Sequence, residues 1–271
     1  MVMNADATES TETGRVQVAS DGAIATVTLD HPGRLNALTV HMWRELGQAF
    51  AKLSADSSLR CVVLRGAGGN FAAGADIHEF PRERADLDSV MHYHLQVIAP
   101  ALAAVRGCSH PVVASIDGVC IGGGLELASQ CDLRIAGGSS RFGVPINRLG
   151  FPMAPDEMRG MLALVGRAVT LEILLEGRVF DAAEALAKGL LTRVVPDDEL
   201  AGEVARSTQR IARGAPLAAR LNRRIADRLC AGPQPLTKAE LQLFFGYADS
   251  RDHRHGVQAF LTGVEPVFTG D

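Results

Sequence analysis

Two stretches of the sequence place small residues where a protein interior ordinarily takes bulk. They are Phe71-Ala72-Ala73-Gly74-Ala75-Asp76-Ile77 and Val119-Cys120-Ile121-Gly122-Gly123-Gly124-Leu125-Glu126-Leu127. Glycine and alanine let a ligand approach the backbone closely, and a glycine-rich turn that feeds a helix points free N–H groups at whatever sits before it. Two such N–H groups converging on one point would stabilise a developing oxyanion. The same triple glycine also suits plain helix-on-strand packing, and the residues alone leave both readings open.

Other chemistries find less support. The third glycine of a dinucleotide fingerprint would fall at Leu127, and no G-K-[ST] phosphate loop occurs. Ser139-Ser140 lacks the G-x-S-x-G elbow of a serine hydrolase. His92 and His94 stand two apart on an expected helix and so face different sides, while His253 and His255 fall in an expected C-terminal helix. Neither pair has the H-E-x-x-H spacing of a zinc site, and no metal is expected.

The elements that must position these stretches alternate between strand and helix. Arg15–Ala19 and Ala23–Leu29 flank an Asp-Gly turn and predict a β-hairpin. Thr39 can cap a helix ending near Ala55, in which Trp43, Leu46, Phe50 and Leu53 recur on one face. Cys61–Leu64 and Pro111–Ile116 are short apolar runs that read as strands buried on both faces, with a helical stretch from Leu87 to Val105 between them. From Asp156 onward the pattern is mainly helical, around a short strand near Thr192–Val195. Helices are expected over Ala182–Lys188, Asp197–Ala212, Leu217–Leu229, Thr237–Tyr247 and Arg254–Leu261.

With 271 residues, 47% of them hydrophobic, the chain can bury a large core. A formal net charge of -4, with both signs interspersed, argues against nucleic acid as a partner. No apolar run reaches the ~18 residues of a membrane span, and residues 1–14 are a polar, acidic stretch expected to be a disordered tail. Five scattered cysteines without a C-x-x-C pair suggest reduced, buried thiols, and hence a soluble cytoplasmic protein.

Three segments then carry a resemblance. Leu35-Asn36-Ala37-Leu38-Thr39, Phe71–Ile77, and Ile121–Cys131 with Asp132-Leu133 resemble, in order and separation, the signature segments of the crotonase (enoyl-CoA hydratase/isomerase) superfamily. Ser250–Phe260 with Pro266-Val267-Phe268 is similar to that family's terminal helix, so the likeness runs from about Val16 to Phe268. It implies an α/β fold, a crotonase-like ββα spiral core over residues 15–200, and a helical C-terminal trimerisation region over 201–271. It also implies a homotrimer or hexamer acting on acyl-CoA thioesters, with coenzyme A entering as part of the substrate and no separate cofactor.

Carried over residue by residue, the backbone N–H groups of Ala75 and Gly123 would hold the thioester oxygen, and Glu126 would be the general acid/base. The ligand would run along Ala73, Asp76, Ile77 and Gly122, with Arg34, Asn36 and Ala37 toward its CoA end. The second glutamate of the family's hydratases is here Ile146, which can neither activate water nor deliver a proton. Asp156 and Glu157, eleven or so residues on, are the carboxylates that could replace it. The open alternatives are a single-base enoyl-CoA isomerase and a non-catalytic acyl-CoA-binding or interaction protein.

Overall fold

A computed structural model describes residues 14–232 and 234–271. The tail expected over residues 1–14 lies outside the described residues except for Gly14, which is buried. Among the described residues the strands are β1 Arg15–Asp21, β2 Ile24–Asp30, β3 Cys61–Gly66, β4 Val112–Ile116, β5 Val119–Ile121, β6 Leu133–Gly137, β7 Arg141–Gly143, β8 Phe180–Asp181 and β9 Arg193–Val195.

The Asp21-Gly22 turn closes the expected antiparallel hairpin of β1 on β2. From β2 the sheet grows by parallel pairing, in the order β1-β2-β3-β4-β6-β9. Successive side chains of its central strands supply two different cores, because a strand alternates its faces. Val62, Leu64, Val112 and Ala114 join the main apolar cluster. Cys61, Val63 and Val113 meet Leu200 and Val204 in a second one. Burial on both faces explains why these strands read as continuous apolar runs.

A second sheet, β5-β7-β8, is built from strands of two or three residues, too short for periodicity to reveal. The helix Val40–Ala55 starts where Thr39 caps it, accepting from the Met42 N–H at 3.2 Å, and it buries Trp43, Leu46 and Phe50 completely. The expected stretch from Leu87 to Val105 is helical, but Tyr93–Ile98 takes a wider π turn just before Pro100. Proline offers no N–H to the preceding turn, so the ladder loosens there. Tyr93 and His94 are both buried as a result, whereas His92 is exposed.

Two expectations change. The 200/201 boundary falls inside the helix Leu200–Arg213, whose Leu200 and Val204 form part of the packing on the main sheet. Cys61, Cys108, Cys120 and Cys131 are free and buried, but Cys230 is exposed, because it ends a helix with few buried positions. No helix among the described residues is long and apolar enough to cross a membrane.

Candidate active site

The two small-residue stretches lie side by side, joined through main chain. Ala72 donates to the Val119 carbonyl at 2.9 Å and accepts from the Ile121 N–H at 3.0 Å. Gly124 shows why no side chain is tolerated: a Cβ there would stand 2.3 Å from the Ala72 oxygen. On the far side, Leu38 donates to Gly74 at 2.7 Å and Asp76 donates to Leu38 at 2.9 Å, so the first resembling segment is stitched to the second.

This frame delivers two amides to one place. Gly122, at φ 51°, turns the chain from β5 into the helix Gly123–Ala128, a conformation that L side chains resist. The Gly123 N–H at that helix start and the Ala75 N–H find no backbone acceptor among the described residues. They are close together, since Ala75 N lies 3.3 Å from where a Gly123 Cβ would sit. Convergent, unpaired donors of this kind are what an oxyanion requires.

In front of them opens a cavity of about 90 Å³. Its wall takes Glu126 and Glu157, both deeply buried although they come from different helices, Gly123–Ala128 and Pro155–Glu176. Burial, reinforced by the negative charge of Glu157, holds the Glu126 carboxyl well above the usual carboxylate range, against the pull of Arg84. Glu157 stands 2.5 Å from Nδ1 of the buried His94. Ile146 also lines the cavity, so that position contributes apolar surface and no acid–base chemistry.

The other residues singled out divide into two groups. Ala73, Ala75, Ile77, Gly122 and Gly123 line the cavity. Asp156 does not: its half-exposed carboxylate receives Arg159 Nε at 2.8 Å on the outside of the helix. Adjacent residues on a helix point about 100° apart, so only one of the Asp156–Glu157 pair can face inward.

Asn36 is also not a ligand-facing side chain. It is buried, accepts from the His31 N–H at 3.0 Å, and donates to the Ala67 and Asn70 carbonyls at 2.8 and 2.7 Å. Asn36→Ala is therefore expected to destabilise the fold by about 1–3 kcal/mol, the cost of orphaned buried partners, with little change in ligand affinity. Denaturant unfolding and calorimetric binding would check this. Asp76 likewise spends its carboxylate on its own turn, accepting from His78 N–H at 3.0 Å and lying 2.8 Å from His78 Nδ1. Burial pushes that carboxyl up, but the His78 contacts outweigh it and leave it below the ordinary value. Arg34 is exposed outside the cavity, 3.0 Å from His78 Nε2, while the Ala37 N–H donates to the Arg34 carbonyl at 2.9 Å and the Ala37 carbonyl lies 2.7 Å from the His31 ring Nδ1.

Sequence reasoning missed Arg84, weighed His94 only as half of a metal pair, and read Trp43 only as a core residue although Trp43 also lines the cavity. His94 carried no signal, because nothing in the sequence ties it to a glutamate 63 residues away.

The profile of the enoyl-CoA hydratase/isomerase family matches residues 19–271. In sequence the chain is 33% identical over 259 residues to a Mycobacterium tuberculosis protein named "Probable enoyl-CoA hydratase echA8", covering 94% of this chain and 97% of that one. It is 30% identical over 219 residues to the short-chain-enoyl-CoA hydratase of Clostridium acetobutylicum, covering 80% of this chain and 82% of that one. In structure it matches the crystal structure of an enoyl-CoA hydratase/carnithine racemase from Magnetospirillum magneticum with a TM-score of 0.92 and 48% identity, covering 94% and 96% of the two chains. A profile match from Ala19 to the last residue, on the crotonase-like α/β fold, makes this chain a member of the enoyl-CoA hydratase/isomerase family of enzymes.

Proposed function

We propose that this protein hydrates a 2-enoyl-CoA thioester, or dehydrates the corresponding 3-hydroxyacyl thioester, with Glu126 and Glu157 as its acid–base pair. The observation that carries this reading is the pair of buried carboxylates on one cavity beside two unpaired amides. Glu157 enters from the next helix and supplies what Ile146 withholds. In this scheme a Glu157 oxygen takes a proton from water while the water oxygen bonds to the β-carbon. The electron pair moves onto the thioester oxygen, where the Ala75 and Gly123 N–H groups meet it. Glu126, whose raised pKa keeps a proton available, then protonates the α-carbon. The proton on Glu157 passes through solvent to Glu126 before the next turnover.

Ala73, Ile77, Gly122 and Ile146 shape the thioester and acyl portion. Arg34, 3.0 Å from His78 Nε2, and Ala37, whose N–H donates to the Arg34 carbonyl, are assigned to the CoA end. Apolar side chains at the C-terminus, among them Phe260 at 87% exposure and Leu261 at 74%, fit a homotrimer or hexamer in which further copies cover them. Free, mostly buried thiols suit a cytoplasmic enzyme.

Ile146 keeps a second reading alive, in which Glu126 alone moves a proton between carbons and isomerises the double bond. Products formed from 2-enoyl and 3-enoyl thioesters in D2O separate the two. Hydration adds one water to the mass, and Glu157→Gln is expected to lower it about 100-fold. A shifted double bond with carbon-bound deuterium, unchanged in Glu157→Gln, would replace the hydratase by the one-base isomerase.

A further inference from the structure

The acyl cavity has a cation in its wall that no acceptor among the described residues satisfies at Nε. Arg84 follows the short helix Phe80–Glu83, and its guanidinium carbon lies 3.9 Å from the Phe80 ring centroid and 4.1 Å from that of Phe151. The two rings meet edge to face with centroids 6.0 Å apart. Two ring faces meeting at a corner hold the cation without offering it a hydrogen-bond acceptor, so its N–H groups remain for another partner. Arg84 Nε is buried without a hydrogen-bond partner among the described residues. The hydroxyl of Tyr93 is likewise unsatisfied there but stands close enough to favour the charged guanidinium, the ring centroid lying 5.4 Å from its carbon.

Glu157 and Glu126 both act on this charge through space, but neither accepts a hydrogen bond from its Nε, and Glu157 is paired with His94. The remaining wall near Arg84 is apolar, with Phe80, Phe151, Ile98 and Met153. A hydrocarbon chain entering here would bury the guanidinium further and bring it no acceptor, which is unfavourable for a donor already cut off from water. An oxygen on the chain would complete it.

We propose that the cavity selects acyl groups that carry an oxygen acceptor, a carboxylate or a ketone, beyond the reacting carbons, and that Arg84 donates to that oxygen. The inference rests on the acyl-CoA reading of the site and names its substrate class.

Saturated thioesters of equal length test it by calorimetry on the full chain without requiring any turnover: pentanoyl-CoA, 4-oxopentanoyl-CoA and 4-carboxybutanoyl-CoA. The wild type is expected to bind at least one oxygenated thioester about ten- to a hundredfold more tightly than pentanoyl-CoA. Arg84→Met should erase that preference by weakening the oxygenated ligand alone, and Arg84→Lys should retain part of it. The favoured arm tells carboxylate from ketone. Equal or tighter binding of pentanoyl-CoA by the wild type overturns the inference. So does an equal loss of all three in Arg84→Met, which would leave Arg84 as a counter-charge for Glu126 and Glu157. Failure of every thioester to bind folded wild type removes the acyl-CoA reading together with this one. Thermal melts of both variants confirm that they are folded.

Discussion

Glu126→Gln is expected to lower turnover by about 100- to 10,000-fold while making the protein more stable at neutral and higher pH. The loss follows from removing the group placed to exchange a proton at carbon beside the two free amides. Thioester affinity should change little, because glutamine fills the same volume and the amides remain.

The stability gain has the same origin as the catalytic value. Burial holds the Glu126 carboxyl above its ordinary value of 4.5, so the folded state binds this proton more tightly than the unfolded chain does. Its contribution is full below the unfolded pKa and is lost as pH rises through the higher folded value. Each unit by which the fold raises that pKa corresponds to roughly 1.4 kcal/mol. A glutamine is neutral throughout and escapes this loss. The variant should therefore melt higher than wild type at pH 8, and the difference should shrink to nothing near pH 4. Parallel melting temperatures across that range would remove the raised pKa from the account, and full activity in the variant would remove the catalytic role.

Gly124→Ala has the second largest expected effect, although position 124 carries no functional group. The added methyl would sit 2.3 Å from the Ala72 carbonyl oxygen, which accepts the Ile121 N–H. Backbone on backbone cannot yield as a flexible side chain does, so the two stretches must separate. Overpacking of this kind costs about 1–3 kcal/mol, readable by denaturant unfolding. The catalytic loss should be larger, since the separated stretches carry Ala75 and Gly123. A displaced oxyanion donor costs about 100- to 1,000-fold in kcat. Under conditions where the variant is folded, a kcat fall with KM nearly unchanged is the expected result. Wild-type kcat would mean that the amide pair does not depend on this contact.

Much of the frame for both effects was legible in the chain itself. Asp21-Gly22 closes the hairpin, Thr39 caps its helix, and Cys61–Leu64 is a buried strand, because each is fixed by local turn chemistry, capping or apolar patterning. Short strands such as β7 and β8 were not legible, since two or three residues show no period and exist only through their neighbours. The π turn at Tyr93–Ile98 was hidden for a related reason: it differs from an α turn by one residue of winding, which periodicity does not resolve.

The candidate site divides along the same line. The sequence determined that two glycine- and alanine-rich stretches exist, that one feeds a helix bearing Glu126, and that Ile146 stands where an acid was expected. Residue type and short spacing suffice for these. Only the tertiary structure decided between Asp156 and Glu157, turning one to Arg159 outside and the other to His94 inside. It also committed Asn36 to the main chain and set Arg84 against the rings of Phe80 and Phe151. These outcomes depend on the packing of segments tens of residues apart, where helix rotation and the supply of partners, rather than the identity of the residue, determine what a side chain meets.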